Sequence, residues 1–388
     1  VTGNFDNRGG AMFPQPAFDL LRNKPRGKRS SYGRFQSRVR GLPYYNSEFP
    51  VATMAEEIAT PGEGQVRGLV TIAGNPVLSS PDGNRLAATL DQLDFMVSVD
   101  IYLNETTKYA DIILPAASFL EKDGVRSWWV PLQSINKAIN VEECKPDVEI
   151  NFELSRRFDP DFKWDSIEAL YDELFKPSGL TYSELQEKVW AIPPEGHPSA
   201  PYRRHEKGLM RADGNPGFNT PTGLFELYAT LREDWDLKPL PYHKDPPYTP
   251  VSRPDLAKDY PLILSTGRRS PVYFHSEHRQ IPWLRSIDPD PLVEIHPETA
   301  VQEGIGDGEW VWVENWMGRA RFKAKVTLIV PPWMVMATHA WWLPEKKGAE
   351  PDLYGTWEHN INLLLPMGDQ GEDGLGAPIK HSLCQIYK

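Results

Sequence analysis

Three groups of residues carry side chains that could do chemistry. The first is strung along residues 75–147: Asn75-Pro76, Val99-Asp100, Thr106-Thr107, Lys122 and Asp147. The apolar run 95–99 ends abruptly in Asp100, and Asn104-Glu105-Thr106-Thr107 follows, dense in short hydrogen-bonding side chains. Polar residues at the carboxyl ends of buried parallel strands are where open α/β sheets bind ligands, which is compatible with a nucleotide-like ligand. On spacing alone, aspartates at strand ends are better read as turn formers, Asp147 as a helix cap, and Lys122 as a solvated loop lysine. The second group is Thr266-Gly267-Arg268-Arg269 with Tyr273-Phe274-His275-Ser276 just beyond. Glycine lets a backbone come close to a ligand, and an arginine fork matches phosphate geometry. A lone Thr-Gly-Arg is an ordinary turn. The third group lies near the end: Trp341-Trp342-Leu343-Pro344-Glu345, Asn360-Ile361-Asn362-Leu363 and Lys380. An asparagine amide can both donate and accept, whereas the tryptophan pair reads as core packing rather than a stacking platform.

Two kinds of element must position these residues. Residues 68–74 and 95–99 read as buried strands, with a helix from Ser80 or Asp82 through Leu93 between them. Strand, helix, strand makes a right-handed βαβ unit with parallel strands. Residues 112–114 form a further apolar run stopped by Pro115, and the chain is expected to be irregular from Gly124 to Val141. Amphipathic helices are expected over 148–158, capped by Asp147, and over 165–175 and 181–190. Residues 225–231 read as a strand or short helix, and the proline-rich stretch 239–254 reads as a linker. From Tyr260 the texture turns to β, with strands expected at 261–266, 308–315, 319–329 and 334–339. A short capped helix at His296-Pro297-Glu298-Thr299-Ala300 is stopped by glycine.

At 388 residues the chain is long enough for two domains with substantial cores. The 42 basic and 53 acidic residues give a net charge of −11, which argues against general affinity for nucleic acid. An anionic ligand must therefore find its positive partners locally. The basic stretch 17–45 reads as a solvated connection before a contact surface. No apolar run approaches the ~20 residues of a membrane span. Two cysteines, Cys144 and Cys384, cannot by themselves hold an iron–sulfur cluster or a structural zinc, and read as small buried hydrophobes. The nine histidines show no H-x-x-x-H spacing.

Taken in order, Asn75-Pro76, Asp100, Thr106-Thr107, Ala110-Asp111-Ile112-Ile113-Leu114-Pro115 and Glu121-Lys122-Asp123-Gly124 resemble the third domain of the dimethyl sulfoxide reductase family. These are molybdenum or tungsten enzymes that carry two pyranopterin guanine dinucleotides. Gly3-Asn4 and Gly9-Gly10 are similar to the family's Gly-Asn-x-x-x-x-Gly-Gly loop, Thr266-Gly267-Arg268 to the opening of its fourth domain, and the Trp341–Lys380 group to its closing sequence. Residues 160–250 carry no such motif. The resemblance implies an α/β, parallel-sheet dinucleotide-binding domain over 1–245 and a six-stranded double-psi-type β-barrel over 246–388. It implies cofactor contacts from Asn75, Pro76, Val99, Asp100, Thr106, Lys122 and Asp147, and from Thr266, Gly267, Arg268, His275, Ser276, Asn362 and Lys380. Asp147 would accept the paired N1–H and N2–H donors of guanine, Asp100 guanine or ribose, and Lys122 phosphate or ribose oxygens.

The family's cysteine cluster and its metal-ligating side chain belong to an amino-terminal half that this chain lacks. The chain is thus expected to be the carboxyl-terminal part of a longer oxidoreductase, silent by itself, with its own amino-terminal domains as first partner. An iron–sulfur electron-transfer subunit is a second partner that the resemblance allows. The complete enzyme would catalyse oxygen-atom or two-electron transfer, or hydration or hydroxyl transfer, on a small substrate. The Trp-Trp-x-Pro-Glu ending leans toward the acetylene hydratase and transhydroxylase branch. A second reading is a non-catalytic pterin-nucleotide-binding protein of the same fold. A third, an ordinary nucleotide-using α/β enzyme with a barrel appended, lacks its phosphate loop: neither G-x-G-x-x-G nor G-x-x-x-x-G-K-[ST] occurs in a strand–turn–helix setting.

Overall fold

The computed structural model describes residues 2–11, 32–45, 48–126, 132–141, 143–192, 202–368, 371, 373–376 and 380–388. Much of the basic stretch 17–45 lies outside the described residues. Contacts divide the chain into two compact units, one of Val1–Ser30 with Leu114–Pro241 and one of Ser31–Ile113 with Tyr242–Lys388.

The second unit holds the parallel sheet. Strand β1 (Gly68–Ile72) pairs in parallel with β2 (Phe95–Asp100), and β3 (Ile112–Pro115) extends the sheet beside β2. The expected crossover is present as the helix Gly83–Leu90, which buries Leu86, Ala87 and Leu90 against Val77, Met96 and Ile58. Asp111 locks β3 in place: its carboxylate accepts from the Met96 amide at 2.7 Å and its own amide donates to the Met96 carbonyl at 2.8 Å. The strands are not buried on both faces as expected. Helices cover one face only, so Val70, Ile72 and Phe95 on the other are 43–56 % exposed.

The first unit contains three short antiparallel strands, β4 (Gly124–Arg126), β5 (Leu132–Ile135) and β6 (Trp190–Ala191). The irregular segment expected from Gly124 to Val141 is therefore partly an antiparallel strand pair, with residues 127–131 outside the described ones. Helices Asp147–Phe158, Ile167–Phe175 and Tyr182–Lys188 follow the expected amphipathic pattern, the last opened by a capping box between Thr181 and Glu184. Phe175, Tyr182 and Leu185 bury Leu132 beneath them. Asp147 does not cap its helix; Pro146 is the cap residue and Asp147 the first helical one. In the amino-terminal loop Gly10 is required, since a Cβ there would lie 2.0 Å from the Asn4 carbonyl oxygen.

The remaining strands close a six-stranded barrel in the order β10-β8-β11-β7-β12-β9. They are β7 (Leu262–Arg268), β8 (Leu292–Ile295), β9 (Trp310–Asn315), β10 (Gly318–Val326), β11 (Met334–Thr338) and β12 (His381–Tyr387). Two pairings are parallel, β7 with β11 and, nested between them in sequence, β8 with β10; the other four are antiparallel. Inward residues Leu264, Val293, Ile295, Val311, Val313, Phe322, Val335 and Ile386 fill the centre, and Cys384 sits fully buried among them. Cys144, by contrast, is only half-buried, its Sγ 3.5 Å from the Val141 carbonyl. The short helix Pro297–Gln302 forms as expected, with the His296 ring accepting from the Glu298 amide.

Candidate functional site

In the first unit the structure brings Lys122 and Asp147 together. The Lys122 Nζ donates to Asp147 Oδ2 at 2.9 Å. The neighbouring segment is pinned by backbone bonds from Lys145 to Pro115 and from Ala117 to Lys145, which set the helix start beside residues 115–117. Asp147 Oδ1 is buried and finds no hydrogen-bond partner among the described residues. A buried carboxylate oxygen without a donor is costly, and its presence at a helix start marks a place where a donor is expected. Lys122 offers a point charge beside it.

At the carboxyl end of the parallel sheet, in the second unit, the predicted residues form a hydrogen-bonded shelf. Asp100 accepts from the Tyr102 amide (3.1 Å) and from Asn104 Nδ2 (2.8 Å). The Asn104 side chain in turn accepts from the amides of Thr106 and Thr107 at 3.0 Å. Thr106 Oγ1 donates to Asn75 Oδ1 and accepts from the Val77 amide, while Asn75 Nδ2 donates to Glu105 at 2.6 Å. Glu105, 1 % exposed, also accepts from Thr356 at 3.0 Å, and burial raises its carboxyl above the usual range. Pro76 opens a short helix, and Val99 is buried with its carbonyl bound to the Ala73 amide. Asn75, Pro76, Val99 and Thr106 therefore shape the shelf with polar atoms already engaged.

On the barrel, Thr266 is buried and its amide donates to the Lys380 carbonyl at 3.3 Å. Gly267 is exposed, and a Cβ there would crowd Ser265 Oγ (3.2 Å) and Met336 Sδ (3.3 Å). Arg268 turns inward: it donates to Thr338 (2.9 Å) and Asp288 (3.3 Å) and lies 3.8 Å from Glu294. Arg269, next along, is exposed and faces two rings, 3.5 Å from His275 Nδ1 and 3.4 Å from His339 Nε2. The Ser276 carbonyl accepts from Trp342 Nε1 at 2.6 Å, and Trp341 is fully buried against Tyr273 and Leu343. Asn362 is buried and donates its amide to the Leu78 carbonyl at 2.9 Å, a bond Asn360 duplicates.

Sequence reasoning did not single out Arg279, His339, Glu105 or the outward role of Arg269. The sequence shows only that Arg269 and His339 each follow a β-textured run; the parallel pairing of β7 with β11, Arg268 opposite Thr338, is what brings them together.

A family model described as a molydopterin dinucleotide binding domain matches residues 262–372, and one described as molybdopterin oxidoreductase matches residues 17–157. The chain belongs to the molybdopterin oxidoreductase family. A dopamine dehydroxylase of Eggerthella lenta is 32 % identical over 395 residues, covering 83 % of this chain and 38 % of that protein. Acetylene hydratase of Syntrophotalea acetylenica is 29 % identical over 367 residues, covering 90 % of this chain and 48 % of its own length. The solved acetylene hydratase from Pelobacter acetylenicus superposes with a TM-score of 0.75 at 27 % identity, covering 86 % of this chain and 46 % of that one. The chain thus spans less than half the length of these relatives. The expected parallel sheet and six-stranded barrel of a molybdopterin oxidoreductase are both present.

The residues fit a molybdopterin dinucleotide chemically. The orphaned Asp147 oxygen beside Lys122 suits a ligand with clustered N–H donors and a nearby anionic or hydroxyl oxygen. On the barrel, Arg269, His275, His339 and Lys380 offer donors that make no ion pair among the described residues, as a phosphate-bearing ligand requires.

Proposed function

We propose that this chain is the cofactor-holding carboxyl-terminal part of a molybdenum or tungsten enzyme with two pyranopterin guanine dinucleotides. Residues 1–245 are the molybdopterin-binding portion and residues 246–388 the dinucleotide-binding barrel. The observation that carries this reading is the Lys122–Asp147 pair with its unpartnered carboxylate oxygen, set in a chain that two molybdopterin family models match. Asp147 and Lys122 hold the guanine and its ribose or phosphate, with Asp100 serving the second nucleotide. Thr266, Gly267, His275, Ser276 and Lys380 approach the pterin and phosphates. Asn75, Pro76, Val99, Thr106, Arg268 and Asn362 hold these groups in place, since their own polar atoms are engaged within the protein.

When bound, the pterin-held metal supplies two-electron chemistry or activates a small substrate. This chain's residues bind, orient and shelter that group. The metal-ligating side chain, an iron–sulfur cluster and an iron–sulfur electron-transfer partner belong to parts of the protein outside this chain. The reaction is oxygen-atom or two-electron transfer, or hydration or hydroxyl transfer in the manner of the acetylene hydratase relative. Acid extraction of the full-length protein should release two guanosine monophosphates for each molybdenum or tungsten measured by mass spectrometry. Release of no guanine nucleotide would overturn the reading.

A further inference from the structure

The barrel rim carries a cationic corner whose construction goes beyond holding a ligand. Arg269 and His339 leave parallel neighbouring strands side by side. Arginine can only donate, so the Nε2 of His339 accepts from it at 3.4 Å and the neutral ring carries its proton on Nδ1. That Nδ1 is buried and finds no partner among the described residues. Arg279, 1 % exposed, donates to the carbonyls of His275 (3.0 Å) and His339 (3.4 Å), with its guanidinium over the rings of Tyr273 (4.9 Å) and Trp341 (4.6 Å). It therefore fixes both histidines by their backbones. His275, His278 and Ala340 adopt positive φ of 49°, 77° and 47°, backbone strain of the kind that persists at binding sites.

The charges around His339 come from Arg269 after β7, His275 and Arg279 in the loop before β8, and Lys380 before β12. The carboxylates of the neighbouring segments have partners of their own: Asp288 with Arg268, Glu294 with Arg268 and Lys325, Glu277 with His278, Glu345 with Arg285, and Glu105 with Asn75 and Thr356 while attracting Arg279. The cations of the corner make no ion pair among the described residues.

We propose that Arg269, His275, His339 and Lys380 form a phosphoryl-binding corner that takes up one proton on His339 Nε2 when its ligand binds. As the phosphoryl group arrives, Arg269 turns its N–H donors to the anion and releases Nε2. A proton from solvent then makes His339 a cation with two donors. This deepens the pterin-nucleotide reading and rests on it. In the free protein burial, helped by the surrounding cations, pushes His339 down to about 4, so it is neutral at physiological pH. A neighbouring dianion raises it. Between the free and bound values, affinity should rise about tenfold for each unit the pH falls.

The test is calorimetric titration of the cofactor-free full-length protein with inorganic pyrophosphate, guanosine diphosphate and acetate, in buffers of different ionisation heat, from pH 5 to pH 7. Close to one proton should be taken up per pyrophosphate near the acid end, beyond the uptake measured with H339Q. H339Q should still bind, with a flatter pH dependence, and R269Q should bind at least tenfold more weakly. Guanosine diphosphate binding more tightly than pyrophosphate assigns the phosphoryl group to a nucleotide, and equal binding to a free anion; either supports the corner. Equal proton uptake in wild type and H339Q overturns the proposal and leaves the functional reading standing. Acetate binding as well as pyrophosphate overturns the phosphoryl assignment. If neither phosphate binds, the proposal fails and the barrel half of the functional reading fails with it.

Discussion

Replacing Asp147 with alanine separates a ligand role from a structural one, because the two predict different magnitudes. The Lys122–Asp147 pair is only partly buried, with side chains 26 % and 32 % exposed, so its loss costs folding about 0–1 kcal/mol. Asp147 also begins a 12-residue helix, where a carboxylate contributes a further ~0.3–1 kcal/mol through the helix dipole. Together these lower the melting temperature by only a few degrees, at roughly 2–4 °C per kcal/mol. If guanine donates two N–H groups to this carboxylate, each donor left unpaired costs roughly 1–3 kcal/mol. Two donors then weaken nucleotide binding by about thirty- to twenty-thousand-fold. The assay is guanosine monophosphate released per polypeptide from wild-type and Asp147→Ala full-length protein, alongside thermal melting. A sharp fall in nucleotide content with a shift of a few degrees is expected. Unchanged nucleotide content with the same small shift would show that Asp147 merely starts its helix.

Arg268→Met should destabilise the protein by about 3–5 kcal/mol, since it strands Asp288, whose side chain is 8 % exposed, and leaves Glu294 only Lys325; urea unfolding measures this, and a loss below 1 kcal/mol would contradict the inward role of Arg268. Asn362→Leu removes one of two amide donors on the Leu78 carbonyl, which Asn360 still satisfies, and should cost roughly 0.5–1.5 kcal/mol by the same method. His339 is held below its ordinary 6.5, at about 4, so the unfolded chain binds a proton that the folded chain refuses between those values. Ligand-free stability should therefore fall as pH drops from about 6.5 toward 4, and His339→Gln should flatten part of that decline. The buried His359, shifted in the same direction, retains the rest. A steeper decline in His339→Gln would refute the assignment.

Much of the architecture was legible in the sequence because each part had a local signature. The run 95–99 before Asp100 and the pattern of residues 80–93 specified one βαβ unit, and alternation in 308–315 and 319–329 specified barrel strands. Strand β8 was missed because it is four residues long and carries Glu294, which reads as solvent-facing but turns in to Arg268. Strand β12 was missed because it follows a stretch without β texture and pairs with strands far away in sequence. The cationic corner was illegible for a different reason. Arg269 and His339 lie 70 positions apart and meet only because β7 and β11 are parallel neighbours, a pairing no spacing rule announces. Arg268, the residue chosen for a phosphate, is spent on Asp288, Glu294 and Thr338, and its neighbour Arg269 has donors that make no ion pair among the described residues.

The most direct measurement is a structure of the full-length protein with its cofactor bound. The expected result is a guanine whose N1 and N2 donate to the Asp147 carboxylate, with Oδ1 no longer orphaned and Lys122 turned to a ribose or phosphate oxygen. A guanine bound elsewhere, with the Lys122–Asp147 pair unchanged at 2.9 Å and Oδ1 still unpartnered, would contradict the assignment of this chain's nucleotide site.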